Sequence, residues 1–240
     1  MIGYDRVNYK VNYKVNYMGK LIIFDLDDCL VDTWGSMFPQ LTNQAVEEMV
    51  KAGLKVLSFE KAAKRLAEIN EGAKDGTDAI TTFLKEINAD ASYLEAGKKG
   101  FYNFNFEYSI KPLPGVMELL QKARALGVAF GLVTKGNADG QMEKLKRAGI
   151  DKKLFQKILV VEDYDKTKPY QEIMEGLKFL PQDCFVVGDR YKTDLLPAKA
   201  LGMTTIWVPW GRGKNVVPKA GEVDYTVHNL QEIVAIVGRK

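Results

Sequence analysis

The segment Phe24-Asp25-Leu26-Asp27-Asp28-Cys29-Leu30 sets three carboxylates directly after a short apolar run. Asp25 and Asp27 stand two positions apart, and in extended chain residues at that spacing project to the same side. If the run is a strand of a doubly wound sheet, both acids face the crevice beyond its carboxyl end, where such folds bind ligands. Two buried carboxylates repel each other unless one keeps a proton or a cation lies between them. An acidic turn after a strand has the same appearance, so the segment alone leaves both readings open. Asp28 breaks the alternation and is expected to be structural or solvent-facing.

Three further segments place functional groups at comparable positions. Leu132-Val133-Thr134-Lys135-Gly136-Asn137 offers a hydroxyl and backbone amides where a strand gives way to a helix. Such a junction is a natural anion cradle, and equally an ordinary helix cap. Lys166-Thr167-Lys168-Pro169 follows another strand and its acidic tail, with Pro169 suited to a first helical turn. Val186-Val187-Gly188-Asp189 ends a fourth strand in a carboxylate, and Asp194 can cap the helix that follows. Asp189 is the better candidate for a metal ligand. Oxygen donors without a histidine partner favour Mg²⁺, which keeps several waters and takes one or two carboxylates from protein.

These groups need a frame. Short apolar runs at residues 21–24, 128–133, 158–161, 184–187 and 204–208 read as buried parallel strands. Amphipathic stretches of helical length lie at 115–126, 138–148, 170–180 and 194–201, each closing near Gly or Pro. The alternation predicts an α/β fold, a doubly wound parallel sheet built from right-handed βαβ units. Residues 36–108 interrupt the rhythm with four helical patterns, at 41–52, 59–69, 79–87 and 93–104, and no convincing strand. Ile-Lys-Pro-Leu-Pro-Gly at 110–115 suits a return linker. The expected organisation is an N-terminal extension at 1–17, an α/β catalytic core at 18–35 and 109–240, and an inserted all-α domain at 36–108. The extension carries the repeat Val-Asn-Tyr-Lys, too short a period for a solenoid, and the functional domain is expected to begin near Met18.

Composition narrows the function. Lys and Arg number 34 against 31 Asp and Glu, and a dispersed net charge of +3 gives no nucleic-acid footprint. Cys29 and Cys184 are too far apart in sequence for a CxxC motif and have no histidine near them, so neither a disulfide framework nor a zinc site is indicated. No apolar run suits a signal peptide or a membrane span, and a cytoplasmic protein is expected. His228, the single histidine, precedes a terminal helix and is expected to serve its entry; its isolation disfavours hydrolases that need a histidine base. Phe101, Tyr102, Phe104, Phe106 and Tyr108 are expected to pack within the helical insertion.

Taken in order, these four segments resemble the motifs of the haloacid dehalogenase-like superfamily, and the likeness extends over residues 20–208. The resemblance implies a phosphatase with Asp25 as nucleophile and Asp27 as general acid and base. It makes Thr134 a phosphate-binding hydroxyl with Lys135 beside it, and Lys168 the cation that steadies nucleophile and phosphoryl oxygens. Mg²⁺ would be held by Asp25, Asp189 and the main-chain carbonyl of Asp27, with Asp194 supporting the ligands from behind. The insertion resembles a C1 cap, which in this family accompanies small-molecule substrates. Asp28 and Cys29 depart from the commoner pattern, which has Gly and Thr there. Carboxylates beside Cys29 should raise its pKa, so it reads as a packing group rather than a nucleophile.

The resulting expectation is a Mg²⁺-dependent phosphatase that hydrolyses a small phosphorylated metabolite through an aspartyl-phosphate. A sugar-phosphate mutase would keep the same residues. A 2-haloacid dehalogenase would not need Asp27, because halide leaves without protonation. A phospho-receiver module gathers similar groups in a domain of about half the length with no room for an insertion, and a non-catalytic binding protein has no need of an intact Asp25, Asp27, Lys168 and Asp189.

Overall fold

A computed structural model describes residues 7–10, 19–103 and 109–239. Among the described residues seven strands form one sheet: β1 (Val7–Lys10), β2 (Leu21–Phe24), β3 (Ala129–Lys135), β4 (Lys157–Val161), β5 (Cys184–Gly188), β6 (Thr204–Trp207) and β7 (Tyr225–Thr226). Their order is β1-β4-β3-β2-β5-β6-β7, parallel throughout except for β1. From β2 the chain builds outward to β3 and β4, then returns to the other side of β2 to add β5 and β6. The winding therefore reverses at β2, and the crevice of a doubly wound sheet opens at the carboxyl end of that strand.

All four residues of β2 are buried, as a strand covered on both faces requires. Its alternation divides the core in two. Leu21 and Ile23 join Val133, Val186, Tyr170 and Ile173 on one face. On the other, Phe24 meets Phe130 edge to face at 5.7 Å and Phe155 at 6.5 Å. Both faces of β2 are thus clamped, and the residues that follow it start from a fixed position.

The helices are α1 (Phe38–Lys51), α2 (Phe59–Gly72), α3 (Gly76–Glu86), α4 (Leu94–Phe101), α5 (Val116–Ala125), α6 (Ala138–Arg147), α7 (Thr167–Leu177), α8 (Leu196–Ala200) and α9 (Glu232–Gly238). The first four make a separate compact unit, Thr33–Ser109, inserted into the α/β unit. Ser58 and Asp75 cap α2 and α3 through their side chains. Gly100 lets α4 lie against the Gln44 backbone of α1, where any side chain would collide. Phe101 is buried and packs on Phe38 and Tyr102, whereas Phe104, Phe106 and Tyr108 lie outside the described residues.

Elsewhere the expected elements appear with shifts of a few residues. Residues 7–10 of the N-terminal extension pair antiparallel with β4 and form one edge of the sheet; residues 11–17 of the repeat lie outside the described residues. β7 is only two residues long and leaves no periodic trace in sequence. α7 begins three residues before the expected 170, because the Asp165 carboxylate accepts the amide of Thr167 at 2.9 Å and Pro169 fits the first turn without losing a hydrogen bond. That shift decides which lysine reaches the site.

The insertion leaves and rejoins the α/β unit through a paired connection: Asp32 N donates to Lys111 O at 2.8 Å, Leu113 N to Leu30 O at 3.0 Å, and Val31 bridges Pro112. Its two ends are already together, so closing them costs little loop entropy. We expect a chain in which residues 33–109 are replaced by a short Gly-Ser linker to fold on its own. Far-UV circular dichroism and a cooperative thermal transition check this; a chain without a cooperative transition would show that the insertion is required for folding.

Candidate active site

Asp25 continues the ladder past the end of β2, donating its amide to Val187 O at 2.9 Å. Its carboxylate is buried, with Oδ1 2.6 Å from Lys166 Nζ. The same ammonium lies 2.7 Å from Asp194 Oδ1. Asp189, at the end of β5, completes a group in which Asp25, Asp189 and Asp194 each bring an oxygen within 4.8 Å of the others. The ends of β2 and β5 therefore converge, as the reversal of winding at β2 demands.

The backbone is shaped to permit this crowding. A Cβ on Gly188 would stand 2.6 Å from Asp194 Cβ, so only glycine fits. Asp194 Oδ2 accepts the amide of Arg190 at 2.9 Å, which fixes the turn Tyr191–Leu195. Trp207 Nε1 donates to Asp189 O at 2.7 Å, and Gly213 admits that same carbonyl where a side chain would overlap it. Asp28 is buried rather than solvent-facing, with φ +57°. That left-handed conformation is one that aspartate tolerates better than most residues. Its carboxylate fills the space beside Gly211.

The electrostatics follow from burial. Burial raises the Asp25 carboxyl to about 6; Lys166 opposes the rise, while Asp194 and Asp27 add to it. Asp189 is pushed well above the carboxylate range by burial, then by Asp194, Asp25 and Asp28, with Arg190 only partly compensating. Burial disfavours the charge of Lys166, yet Asp194 and Asp25 more than offset this and carry its pKa well above the usual lysine value. Three carboxylates against one ammonium leave room for a cation, and the exclusively oxygen donors suit a hard one such as Mg²⁺. Cys29 is fully buried beneath the site, its thiol pushed up by burial and then by Asp25 and Asp189, with Sγ 3.4 Å from Val187 O.

Asp27 does not join the three carboxylates. Its side chain, 31% exposed, turns to α6, where Lys144 Nζ lies 2.7 Å from Oδ1 and Gln141 Nε2 lies 3.0 Å from Oδ2. Gln141 Nε2 also meets Thr134 Oγ1 at 2.5 Å. Lys135 sits over the Tyr164 ring, 3.6 Å from its centroid. Lys168 is exposed at the second position of α7 and is not brought to the cluster. The cation there is Lys166, at the N-cap of the same helix, and the expectation attached to Lys168 moves to it. His228 is exposed ahead of α9.

Two lysines flank Thr167, and because α7 begins at residue 167 it is Lys166, not the expected Lys168, that stands at the carboxylates. Gln141 and Lys144 were missed, although a polar pair three apart on the first helix after Thr134 was a readable signal.

A doubly wound sheet whose switch point carries an aspartate cluster, with a helical unit inserted after the first parallel strand, defines a class of α/β proteins whose site chemistry rests on carboxylates. The sequence matches the haloacid dehalogenase-like hydrolase family over residues 22–208, and the chain belongs to that family. It is 33% identical over 230 residues to the glyceraldehyde 3-phosphate phosphatase of Methanocaldococcus jannaschii, covering 92% of this chain and 97% of that protein. The enzyme of the same name from Pyrococcus abyssi is 32% identical over 203 residues, covering 81% and 83%. Among solved structures, the HAD-hydrolase YfnB from Bacillus subtilis, bound to magnesium, superposes with a TM-score of 0.66 at 17% identity, covering 91% of this chain and 98% of that one. No helix among the described residues is long and apolar enough to cross a membrane.

Removing Lys166 leaves buried carboxylates facing each other. We expect Lys166→Met to lower stability in EDTA at pH 7.5 by about 3 kcal/mol, the usual cost of breaking a buried pair, and Lys168→Ala to leave it unchanged. Urea denaturation measures both; equal effects would contradict the assignment of Lys166 as the buried cation.

Proposed function

We propose that this protein is a Mg²⁺-dependent phosphatase that hydrolyses a small phosphorylated metabolite through an aspartyl-phosphate on Asp25. The observation that carries this reading is the division of labour between two neighbouring carboxylates. Asp25 is buried and set against Lys166, Asp189 and Asp194. Asp27 faces the other way on a wetter path, held by hydrogen-bond donors. One carboxylate is placed to attack and the other to carry protons, and a dehalogenase would have no use for the second.

Asp25 attacks phosphorus through one oxygen while Lys166 steadies its other and opposes charge on the phosphoryl group. Thr134 hydrogen-bonds a phosphoryl oxygen, with Lys135 at the rim. Asp27 gives a proton to the departing ester oxygen, then takes one from the water that cleaves the aspartyl-phosphate. Asp25, Asp189 and the Asp27 carbonyl would hold Mg²⁺, with Asp194 behind them anchoring Lys166. The metal supplies charge neutralisation to the transferring group. The helical insertion acts as the cap that selects the substrate. The names of the relatives put glyceraldehyde 3-phosphate first among the compounds to assay. Two free, buried thiols are consistent with a cytoplasmic home.

Rigorous chelation should abolish turnover and Mg²⁺ should restore it. The pH dependence of binding has a defined sign. The Asp25 carboxyl titrates at about 6 instead of 3.8 without metal, so its contribution to stability is present at low pH and lost as pH rises through 6. Mg²⁺ needs the ionised form. The rise in Tm on adding Mg²⁺ should therefore be larger at pH 7.5 than at pH 5, and a shift independent of pH would place the ion elsewhere.

Asp27→Asn tests the chemistry directly. An aryl phosphate leaves easily, so the variant should release a burst of about one phenolate per site and then stall, with a hydroxylamine-sensitive label on Asp25. Wild-type rates on both aryl and alkyl esters would remove Asp27 from the mechanism, and a label on another residue would overturn it.

A further inference from the structure

α6 carries two polar residues where apolar ones are the rule. Its outward face has Glu143 paired with Lys146 and Arg147 in the ordinary way of an exposed helix. Gln141 and Lys144 are instead 3% and 6% exposed. Lysine is almost never buried unless paired, and a buried ammonium persists only where a specific partner repays its dehydration. The partner here is Asp27, at 2.7 Å.

The contacts of Gln141 are unusually informative. Its amide nitrogen faces three oxygens: Asp27 Oδ2 at 3.0 Å, Thr134 Oγ1 at 2.5 Å and Lys135 O at 3.0 Å. A carboxylate and a carbonyl only accept, so the NH₂ end of the amide must point at them. The amide nitrogen cannot accept, so Thr134 Oγ1 accepts as well, the two N–H groups being shared among three oxygens, which leaves the proton of Thr134 to donate in another direction. The loop passes close behind, with Gly136 at φ +144° and the space for its absent Cβ 3.4 Å from Gln141 Cδ. α6 is itself fixed at its start by Asn137, whose side chain accepts the amide of Gly140 at 3.0 Å.

We propose that Gln141 and Lys144 are positioning residues for the reaction. Lys144 fixes one oxygen of Asp27, and Gln141 fixes the other while setting the direction of the Thr134 hydroxyl. This rests on the phosphatase reading above. Two anchors on two oxygens hold a carboxylate in one plane, so that the same group meets the leaving oxygen in the first displacement and the water in the second. A single rigid helix thereby places both the proton carrier and a phosphate-binding hydroxyl. Such placement is worth a large factor in rate, since a misplacement of about 1 Å costs on the order of 100-fold.

The two residues make different predictions. In the full-length protein, Lys144→Met should lower kcat on an alkyl phosphate by about 10- to 100-fold, with KM altered less than about threefold. On 4-nitrophenyl phosphate, formation of the aspartyl-phosphate should be nearly unaffected, so that a burst appears. Lys144→Arg should restore much of the alkyl rate. Gln141→Leu, which keeps the shape and removes the donors, should also raise KM for both esters, because Thr134 meets the phosphoryl group itself. If Lys144→Met slowed aryl and alkyl esters in parallel, or Lys144→Arg rescued nothing, Lys144 would be merely structural and the inference would fail. A wild-type protein inactive on every phosphate ester would instead sink the phosphatase reading. The positioning claim has its own readout in that event: a crystal structure of the Gln141→Leu, Lys144→Met double variant should show the Asp27 carboxylate displaced from Thr134, and an unmoved carboxylate overturns it whatever the activity.

Discussion

Mutual repulsion among Asp25, Asp189 and Asp194, three buried carboxylates gathered at the ends of neighbouring strands, is the constraint to which the rest of the α/β unit answers. Lys166 opposes it from the N-cap of α7. One ammonium does not balance three carboxylates; burial first, and then this repulsion, raise the carboxyl pKa values of Asp25 and Asp189. Holding such a cluster costs stability, as expected of a site shaped for chemistry rather than for the fold's own sake. The cost is met by the aromatic and aliphatic packing that clamps β2 on both faces.

The same constraint explains where the glycines fall. Close approach of several backbones to the acids requires Gly188 beside Asp194 and Gly213 beside the Asp189 carbonyl. The α/β unit therefore reads from centre to edge: a crowded acidic focus, a ring of backbone that makes room for it, and an outer layer of ordinary packing. α7 contributes to the focus through Lys166, whereas α6 holds Asp27, which stands apart from it, through Gln141 and Lys144.

Much of this was legible in sequence because the fold class rests on repeated, local signals. Buried parallel strands show as uninterrupted apolar runs, and five of them were placed within two residues. The acids were legible too, since a carboxylate at a strand end is a local pattern. What was not legible depended on tertiary geometry. Whether Lys166 or Lys168 turns inward depends on where α7 starts, and a two-residue shift points a side chain to a different face of a helix. Gln141 and Lys144 look like surface residues of an amphipathic helix until Asp27 is seen opposite them. The edge pairing of residues 7–10 required knowing that β4 would otherwise present an open ladder.

Asp28 and Gly211 share one small volume: the carboxylate of the first occupies the place where a side chain of the second would stand, and both backbones are left-handed, at φ +57° and +51°. Neither position is free to drift alone. A larger residue at 211 would need position 28 to shrink first, and a glycine at 28, the commoner choice in the family, would leave a void that only change at 211 or its surroundings could fill. Across relatives of this chain the two sites should therefore vary as one character, an acid at the first accompanying a glycine at the second, although 183 residues of sequence separate them.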